Sequence, residues 1–370
     1  MSSAREKILI RGVNWLGDAV MSTPALQRLR EAKPNAHITL LTHEKLAGLW
    51  ENHPALNSVL TFAKAESAWQ IGKKLRRETF DVALALPNSH RSAIELWFAG
   101  IPLRIGYARF GRNFFLTKTI QPRPGAIEMH KRSVAEINDL ISGQKTRTES
   151  PIPTQAHHIF QYLHLVAALG AEATPLAPRI EVAGNEVAAF EKRLAEVSGE
   201  NSLWLGLNPG AEYGPAKRWP AERFIATAIE LHQKTNCGWI IFGANDSAAQ
   251  QIASEMENKL GRRFVANFAG KTTLRELCVG LKFCNLVLTN DTGPMHVTAA
   301  LGTPVVVPFG STSFKLTGPG LPGNSDHALL KSNAPCAPCF LRECPIDFRC
   351  MRSIEVERVV DACLKILQRV

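Results

Sequence analysis

Residues 285–310 read NLVLTNDTGPMHVTAALGTPVVVPFG. An apolar, β-prone run ends at Asn290, a tight turn carries Asp291, Thr292 and Gly293, and a helix follows through His296 and Ala300. A second β-prone run, PVVVPFG, then returns the chain to the same edge with Gly310, Ser311 and Thr312. Strand, turn, helix and strand in this order make a βαβ unit, which implies a parallel sheet. The turn also has chemistry. A helix start leaves backbone amides without partners and is suited to an anion. Gly293 permits close approach, Thr292 adds a hydroxyl donor, and His296 stands one turn in. The same residues also fit an Asp-capped helix with a lone histidine on its face.

Outward from this unit the rhythm repeats. Upstream lie strand LWLGLNPG, a helix from Ala221, strand GWIIFGA, a helix from Asp246, short strand FVANFAG and a helix from Thr273. The N-terminal half alternates in the same way, with strand KILIRG, a helix from about Gly17 to Ala32, strand AHITLLTH, a helical region around Leu46, and strand DVALALP. A helix near Ala156 to Leu169 precedes the Pro- and Gly-punctuated stretch 171–185, which reads as a linker. The expected fold class is α/β, with two Rossmann-like, doubly wound parallel sheets over residues 1–175 and 186–350, and an amphipathic helix over 353–370. In such folds ligands sit at the carboxyl ends of the strands, so a central cleft lined by loops of both domains is expected. Residues 104–132, RIGYARFGRNFFLTKTIQPRPGAIEMHKR, read as one long basic loop.

The 370 residues suit two domains of ordinary size. No stretch is long and apolar enough for a signal peptide core or a membrane span, so a soluble, cytoplasmic protein is expected. Lys and Arg number 43 against 33 Asp and Glu, a surplus of ten positive charges that favours an anionic partner. Three Tyr and the lack of any RNP-like or zinc-finger pattern argue against nucleic acid and leave a membrane surface or a phosphorylated glycolipid.

Three further strand exits carry candidate residues. In RGVNWLGDAV (11–20) the glycine spacing is not G-x-G-x-x-G, which argues against a nicotinamide site; Asp18 is either a helix-terminal anion or a general base. In LNPGAEYGPAKRWP (207–220), Gly210 and Gly214 let the backbone bend towards a ligand and Lys217 offers a charge for phosphate. In IFGANDS (241–247), Asn245 or Asp246 could reach ribose hydroxyls, although Asp246 also suits a helix cap.

With these motifs in hand, the chain resembles glycosyltransferase family 9, the bacterial heptosyltransferases, and most of all the heptosyltransferase II group. The likeness runs from RGVNWLGDAV through PGAEYGPAKRWP and NDTGPMH to CAPCFLRECP, nearly the whole chain. It implies a GT-B fold, with acceptor on the first domain, ADP-sugar on the second, and a last helix packing back on the first. By motif it implies Asp18 as catalytic base, Lys217 on the phosphates or transferring sugar, and Asp291 on the sugar. Thr292 and Gly293 fall at the diphosphate turn, His296 is that motif's histidine, and Asn245 lies near the ribose. It implies inverting transfer of L-glycero-D-manno-heptose from ADP-β-heptose to the heptosyl-Kdo2-lipid A core of lipopolysaccharide. A family 9 transferase acting earlier or later on the core, or with another ADP-sugar, is the alternative, as is a non-catalytic nucleotide-sugar binder. No D-x-D motif occurs, so neither metal nor other cofactor is expected at the diphosphate. A phosphorylated, membrane-anchored acceptor accounts for the positive surplus, with Arg104, Arg109, Arg112 and His130 as its expected contacts and the inner membrane face as the place of work.

Cys336, Cys339, Cys344 and Cys350 are spaced C-x2-C-x4-C-x5-C. In a cytosolic chain that spacing suits zinc or an iron–sulfur group, and also a disulfide or inert buried thiols.

Overall fold

The computed structural model describes residues 5–146 and 151–369. It divides into two compact units, Met1–Ala126 with Gln155–Glu181, and Ile127–Thr154 with Val182–Val370. Each holds one six-stranded sheet in which every described pairing is parallel.

In the first unit the strands are β1 (Lys7–Arg11), β2 (His37–His43), β3 (Ser58–Phe62), β4 (Val82–Ala85), β5 (Leu103–Tyr107) and β6 (Lys118–Ile120), in the order β3-β2-β1-β4-β5-β6. The sheet is buried along β1, β2 and β4, through Ile8, Leu9 and Ile10, through Ile38, Leu40 and Leu41 with the buried Thr39 and Thr42, and through the wholly apolar β4. The helix expected from Gly17 to Ala32 is two, Leu16–Met21 and Thr23–Ala32, joined at Ser22. Pro24 near the start of the second has no amide to continue the first, which explains the break.

In the second unit the strands are β7 (Trp204–Asn208), β8 (Gly238–Ile241), β9 (Val265–Asn267), β10 (Leu286–Thr289), β11 (Val305–Phe309) and β12 (Ala328–Lys331), in the order β12-β11-β10-β7-β8-β9. Helix starts fall where the sequence signals them. Asp246 caps Ser247–Leu260 by accepting from the Ala249 amide at 2.8 Å, and Thr273 with Glu276 forms a capping box on Leu274–Phe283.

Three expectations need correction. The chain passes from one unit to the other between Glu181 and Val182, inside the stretch read as a linker, and residues 127–154 also belong to the second unit. The cause is Ile137 on the helix Val134–Ser142, which is buried in the second unit's core with Cys336, Cys339 and Met351. The basic stretch 104–132 is not one loop. It contains most of β5, a 3-10 turn at Asn113–Phe115 and β6, and its last residues lie in the second unit.

The third correction concerns the C-terminal helix, Val356–Leu367. Its apolar face, Val359, Val360, Cys363 and Ile366, is buried in the second unit's core against the helix Ala221–Thr235 and strands β10 to β12, not in a core of the first. Burying each aliphatic side chain there is worth roughly 1.5–3 kcal/mol. The Ile354 carbonyl ahead of the helix is fixed by Trp219 Nε1 at 3.0 Å and Arg223 Nη1 at 2.6 Å.

Candidate active site

In the second unit three neighbouring strand exits meet on one carboxylate. Asp291 follows β10, Lys217 lies in the loop after β7, and Thr312 follows β11; β10 is flanked by β7 and β11 in the sheet. Lys217 Nζ stands 2.6 Å from Asp291 Oδ2, and Thr312 Oγ1 donates to the same oxygen at 2.5 Å. Only 5 % of the Asp291 side chain and 14 % of Lys217 are exposed, so this is a mostly desolvated pair. Asn290, fully buried, ties the two loops together: its Nδ2 donates to the Pro209 carbonyl at 2.7 Å and its Oδ1 accepts from the Trp219 amide at 2.9 Å. The Lys217 ammonium also lies over the Tyr213 ring, 5.0 Å from its centroid.

Asp291 is not a helix cap. The cap position of Gly293–Ala300 is Thr292, whose side chain makes no capping bond, and Pro294 occupies the first turn. The carboxylate is instead held by the lysine and the threonine. His296 is buried one turn along. An ammonium beside a helix start is chemically suited to an anion, and here Asp291 balances the ammonium charge.

At the exit of β8, Asp246 is the helix cap described above. Asn245 is exposed, and its Oδ1 accepts from Gln250 Nε2 at 2.9 Å. Gln250 Oε1 in turn accepts from Asn267 Nδ2 at 2.8 Å, so an amide chain reaches from the exit of β8 to β9. Gln250 and Asn267 carry no motif and were not legible as part of this edge.

In the first unit Asp18 is half-buried in the first turn of Leu16–Met21, where it also complements the helix dipole. Tyr162, on the helix Ile159–Ala167, donates its hydroxyl to Asp18 Oδ1 at 3.1 Å. Burial, reinforced by the Asp18 charge, pushes the Tyr162 hydroxyl well above its ordinary range, so it is a permanent donor. Burial also pulls His158 below the usual histidine value; the Asp18 charge opposes this and the Arg123 charge adds to it. Arg123 grips the carbonyls of Gln155, Ala156 (2.8 Å) and His157 (3.3 Å), fixing the lead-in to the helix that carries His158 and Tyr162.

The loop bearing Asp18 is fixed from beneath. Arg11, buried at the end of β1, pairs with the buried Glu95 at 2.7 Å and donates to the Gly12 carbonyl at 2.5 Å and Asn14 Oδ1 at 3.0 Å. Sequence reasoning reached Asp18 but missed Tyr162, His158 and Arg11. Tyr162 lies 144 positions away, and no local period marks it.

The expected acceptor contacts separate. Arg112 is fully buried and spends its guanidinium on the carbonyls of Tyr107, Ser89 (3.1 Å) and Pro87 (2.8 Å); burial, then the Arg109 charge, pull it down to about 10. Arg104 is likewise turned inward, onto the carbonyls of Phe115 at 2.8 Å and Ile101 at 2.5 Å. The guanidinium groups of these two are engaged with backbone carbonyls before and after β5, which need donors. Arg109 is exposed in the first unit, touching the Asn88 carbonyl at 3.3 Å. His130 is exposed in the second, 3.2 Å from Glu136. Glu136 is drawn down to about 2 by the Ser133 amide, then by His130.

The sequence model of glycosyltransferase family 9 (heptosyltransferase) matches residues 68–348. The chain belongs to this family. It is a glycosyltransferase of the heptosyltransferase class. Among its relatives, the lipooligosaccharide heptosyltransferase 2 of Haemophilus influenzae is 30% identical over 323 residues, covering 84% of this chain and 85% of that one. The protein of the same description from Campylobacter jejuni is 28% identical over 365 residues, covering 97% and 99%. The solved ADP-heptose lipopolysaccharide heptosyltransferase II of E. coli superposes with a TM-score of 0.77 at 24% identity, covering 98% of this chain and 99% of that one. The family fold is thus the GT-B fold, two units each built on a parallel sheet.

Proposed function

We propose that the protein transfers L-glycero-D-manno-heptose from ADP-β-heptose to the heptosyl-Kdo2-lipid A core, with inversion and without a metal at the diphosphate. The observation that carries this reading is the Lys217–Asp291–Thr312 cluster at the start of the helix Gly293–Ala300. The second unit holds the donor: Lys217 and the helix start take up charge on departing ADP, while Asp291, Thr292 and His296 orient the sugar and diphosphate and Asn245 lies near the ribose. Asp18 takes the proton from the attacking acceptor hydroxyl, and Tyr162 fixes the carboxylate in position. The descriptions of the relatives as heptosyltransferase 2 support the choice of acceptor.

The enzyme works on the cytoplasmic side, peripherally at the inner membrane. In support, Phe110 is 98 % exposed and Phe114 77 %, between the exposed Arg109 and Lys118 on the same segment. The test of the whole reading is incubation with ADP-heptose and heptosyl-Kdo2-lipid A in the presence of a chelator, read by mass spectrometry. A product heavier by one heptose is expected, lost in Asp18→Ala while ADP binding survives. No transfer by the wild type, or near-normal turnover by Asp18→Ala, defeats the reading or its base.

A further inference from the structure

The four clustered cysteines have no part in the transfer chemistry, yet the fold brings them to one place. Cys336, Cys339, Cys344 and Cys350 all line a single small cavity in the second unit, with Ile137, Ala216, Ser311 and Arg349. Cys336, Cys339 and Cys350 are buried and Cys344 is half-buried, and none is in a disulfide. Four thiols from a segment of fifteen residues line this one cavity, and the other four cysteines of the chain do not.

The lining suits thiolates. The Phe348 amide donates to Cys344 Sγ at 3.3 Å, and the amides of Leu341 and Met351 donate to the sulfurs of Cys339 and Cys350. Ser311, 1 % exposed, lines the same cavity with its Oγ lacking any hydrogen-bond partner among the described residues. A buried hydroxyl without a partner costs free energy, and a thiolate in the same cavity would accept a hydrogen bond from it. Two guanidinium groups flank the cluster. Arg349 lines the cavity, and Arg132 donates to the Cys336 carbonyl at 3.1 Å. As thiols alone the group resists ionisation, because burial and mutual repulsion raise Cys336, Cys339 and Cys350, the last to about 12.

We infer that these four cysteines form a structural site for one thiophilic divalent cation, zinc or ferrous iron, held by four thiolates. Among the described residues no three Cys, His, Asp or Glu groups already stand at ligating spacing, so binding requires the thiols to rotate about the cavity they share. On binding, each S–H bond breaks and its proton passes to solvent, giving four protons and a tetrathiolate complex of charge −2, offset in part by Arg132 and by Arg349, which also pairs with Asp347 at 2.9 Å.

The site stands behind the proposed donor loops. The Cys339 and Phe340 amides both donate to the Ser311 carbonyl, at 3.1 and 2.8 Å, next to Thr312. Tyr213 Oη donates to the Phe340 carbonyl at 2.9 Å, and the Ala216 amide to the Arg342 carbonyl at 3.0 Å, next to Lys217. The cysteine segment is therefore a buttress for the residues around Asp291, and its ion is separate from the diphosphate chemistry.

The test is elemental analysis of untagged protein purified anaerobically from medium without added metal. About one zinc or iron per chain is expected, iron being distinguished by its thiolate charge-transfer absorption. Chelator-stripped protein titrated with Co(II) should saturate at about one equivalent, show tetrahedral thiolate bands and release about four protons. Cys339→Ser and Cys344→Ser should each lower the retained metal by roughly tenfold or more. Stripped wild-type protein that takes up no Co(II) and releases no protons overturns the proposal. A disulfide among the four in anaerobic protein, found by peptide mass spectrometry, overturns it as well. Neither readout depends on transfer, so failure here leaves the transferase reading intact.

Discussion

Replacing Asp291 by Ala separates the stability of the donor unit from its ligand affinity. The substitution removes the partner of Lys217 at 2.6 Å and the acceptor of Thr312 at 2.5 Å, in a place where the carboxylate is 5 % exposed. Hydrogen bonds to a charged group are worth about 1.5–3 kcal/mol each, and breaking a buried pair from one side costs about 3–5 kcal/mol. Lys217 retains some water and the Tyr213 face, so the lower end, about 3 kcal/mol, applies. For a unit of this size that is a fall in Tm of roughly 6–12 °C. ADP binding should move the other way. The ammonium loses its internal counter-ion, so the Kd for ADP by calorimetry should stay the same or tighten, while heptose transfer falls at least ~100-fold through loss of the sugar contact. Lys217→Met should instead weaken ADP by roughly 10- to 100-fold, the loss of one charge-assisted contact. A Tm for Asp291→Ala within about 2 °C of wild type would show that the pair carries no stability. Unchanged ADP affinity in Lys217→Met would remove the lysine from the phosphate site.

Further outcomes are expected from residues outside that cluster. Arg112→Met strips the donor from the buried Tyr107 carbonyl, at a cost of about 1–3 kcal/mol, and from the part-buried Ser89 and Pro87 carbonyls, so thermal unfolding should shift down; Arg109→Ala should leave the Tm unchanged and raise the KM for the lipid acceptor. His53 is buried and pulled by desolvation from 6.5 to about 4, with Nδ1 accepting from the Ala55 amide. The neutral ring is favoured in the folded state. Stability is therefore full above about pH 6.5 and declines as pH falls towards 4, by up to about 3 kcal/mol. Urea midpoints at pH 7.5 and 4.5 should show this slope, and His53→Gln should flatten it. Gly214 has φ +153, and a Cβ there would lie 2.4 Å from the Arg342 carbonyl. Gly214→Ala should displace the Lys217 loop and raise the KM for ADP-heptose; unaltered donor kinetics would show that the loop absorbs the clash.

Legibility followed the range of the interactions. The βα rhythm of the second unit was readable because each helix start carries its own signal, as at Asp246, Thr273 and Pro294. Asp18, Lys217 and Asp291 were readable because short motifs surround them. The edge strands β3 and β12 escaped notice, being only partly buried and without strong punctuation. The roles of Arg104 and Arg112 escaped because an arginine facing backbone carbonyls has the same letter as one facing a ligand. Tyr162 on Asp18 and Ile137 in the second core are contacts between distant segments, and no local pattern encodes them.

The excursion of residues 127–154 into the second unit has a consequence for how the chain is made. It crosses between units three times, so neither unit is one continuous stretch. The first can be completed once residue 181 has left the ribosome, whereas the helix Val134–Ser142 belongs to a core whose last helix ends at Leu367. At synthesis rates of about 5–20 residues per second, Ile137 waits roughly ten to forty seconds for its partners. A nascent chain stalled after residue 181 should therefore bear a protease-sensitive loop inside an otherwise folded unit, and expressing residues 182–370 alone should give an insoluble product.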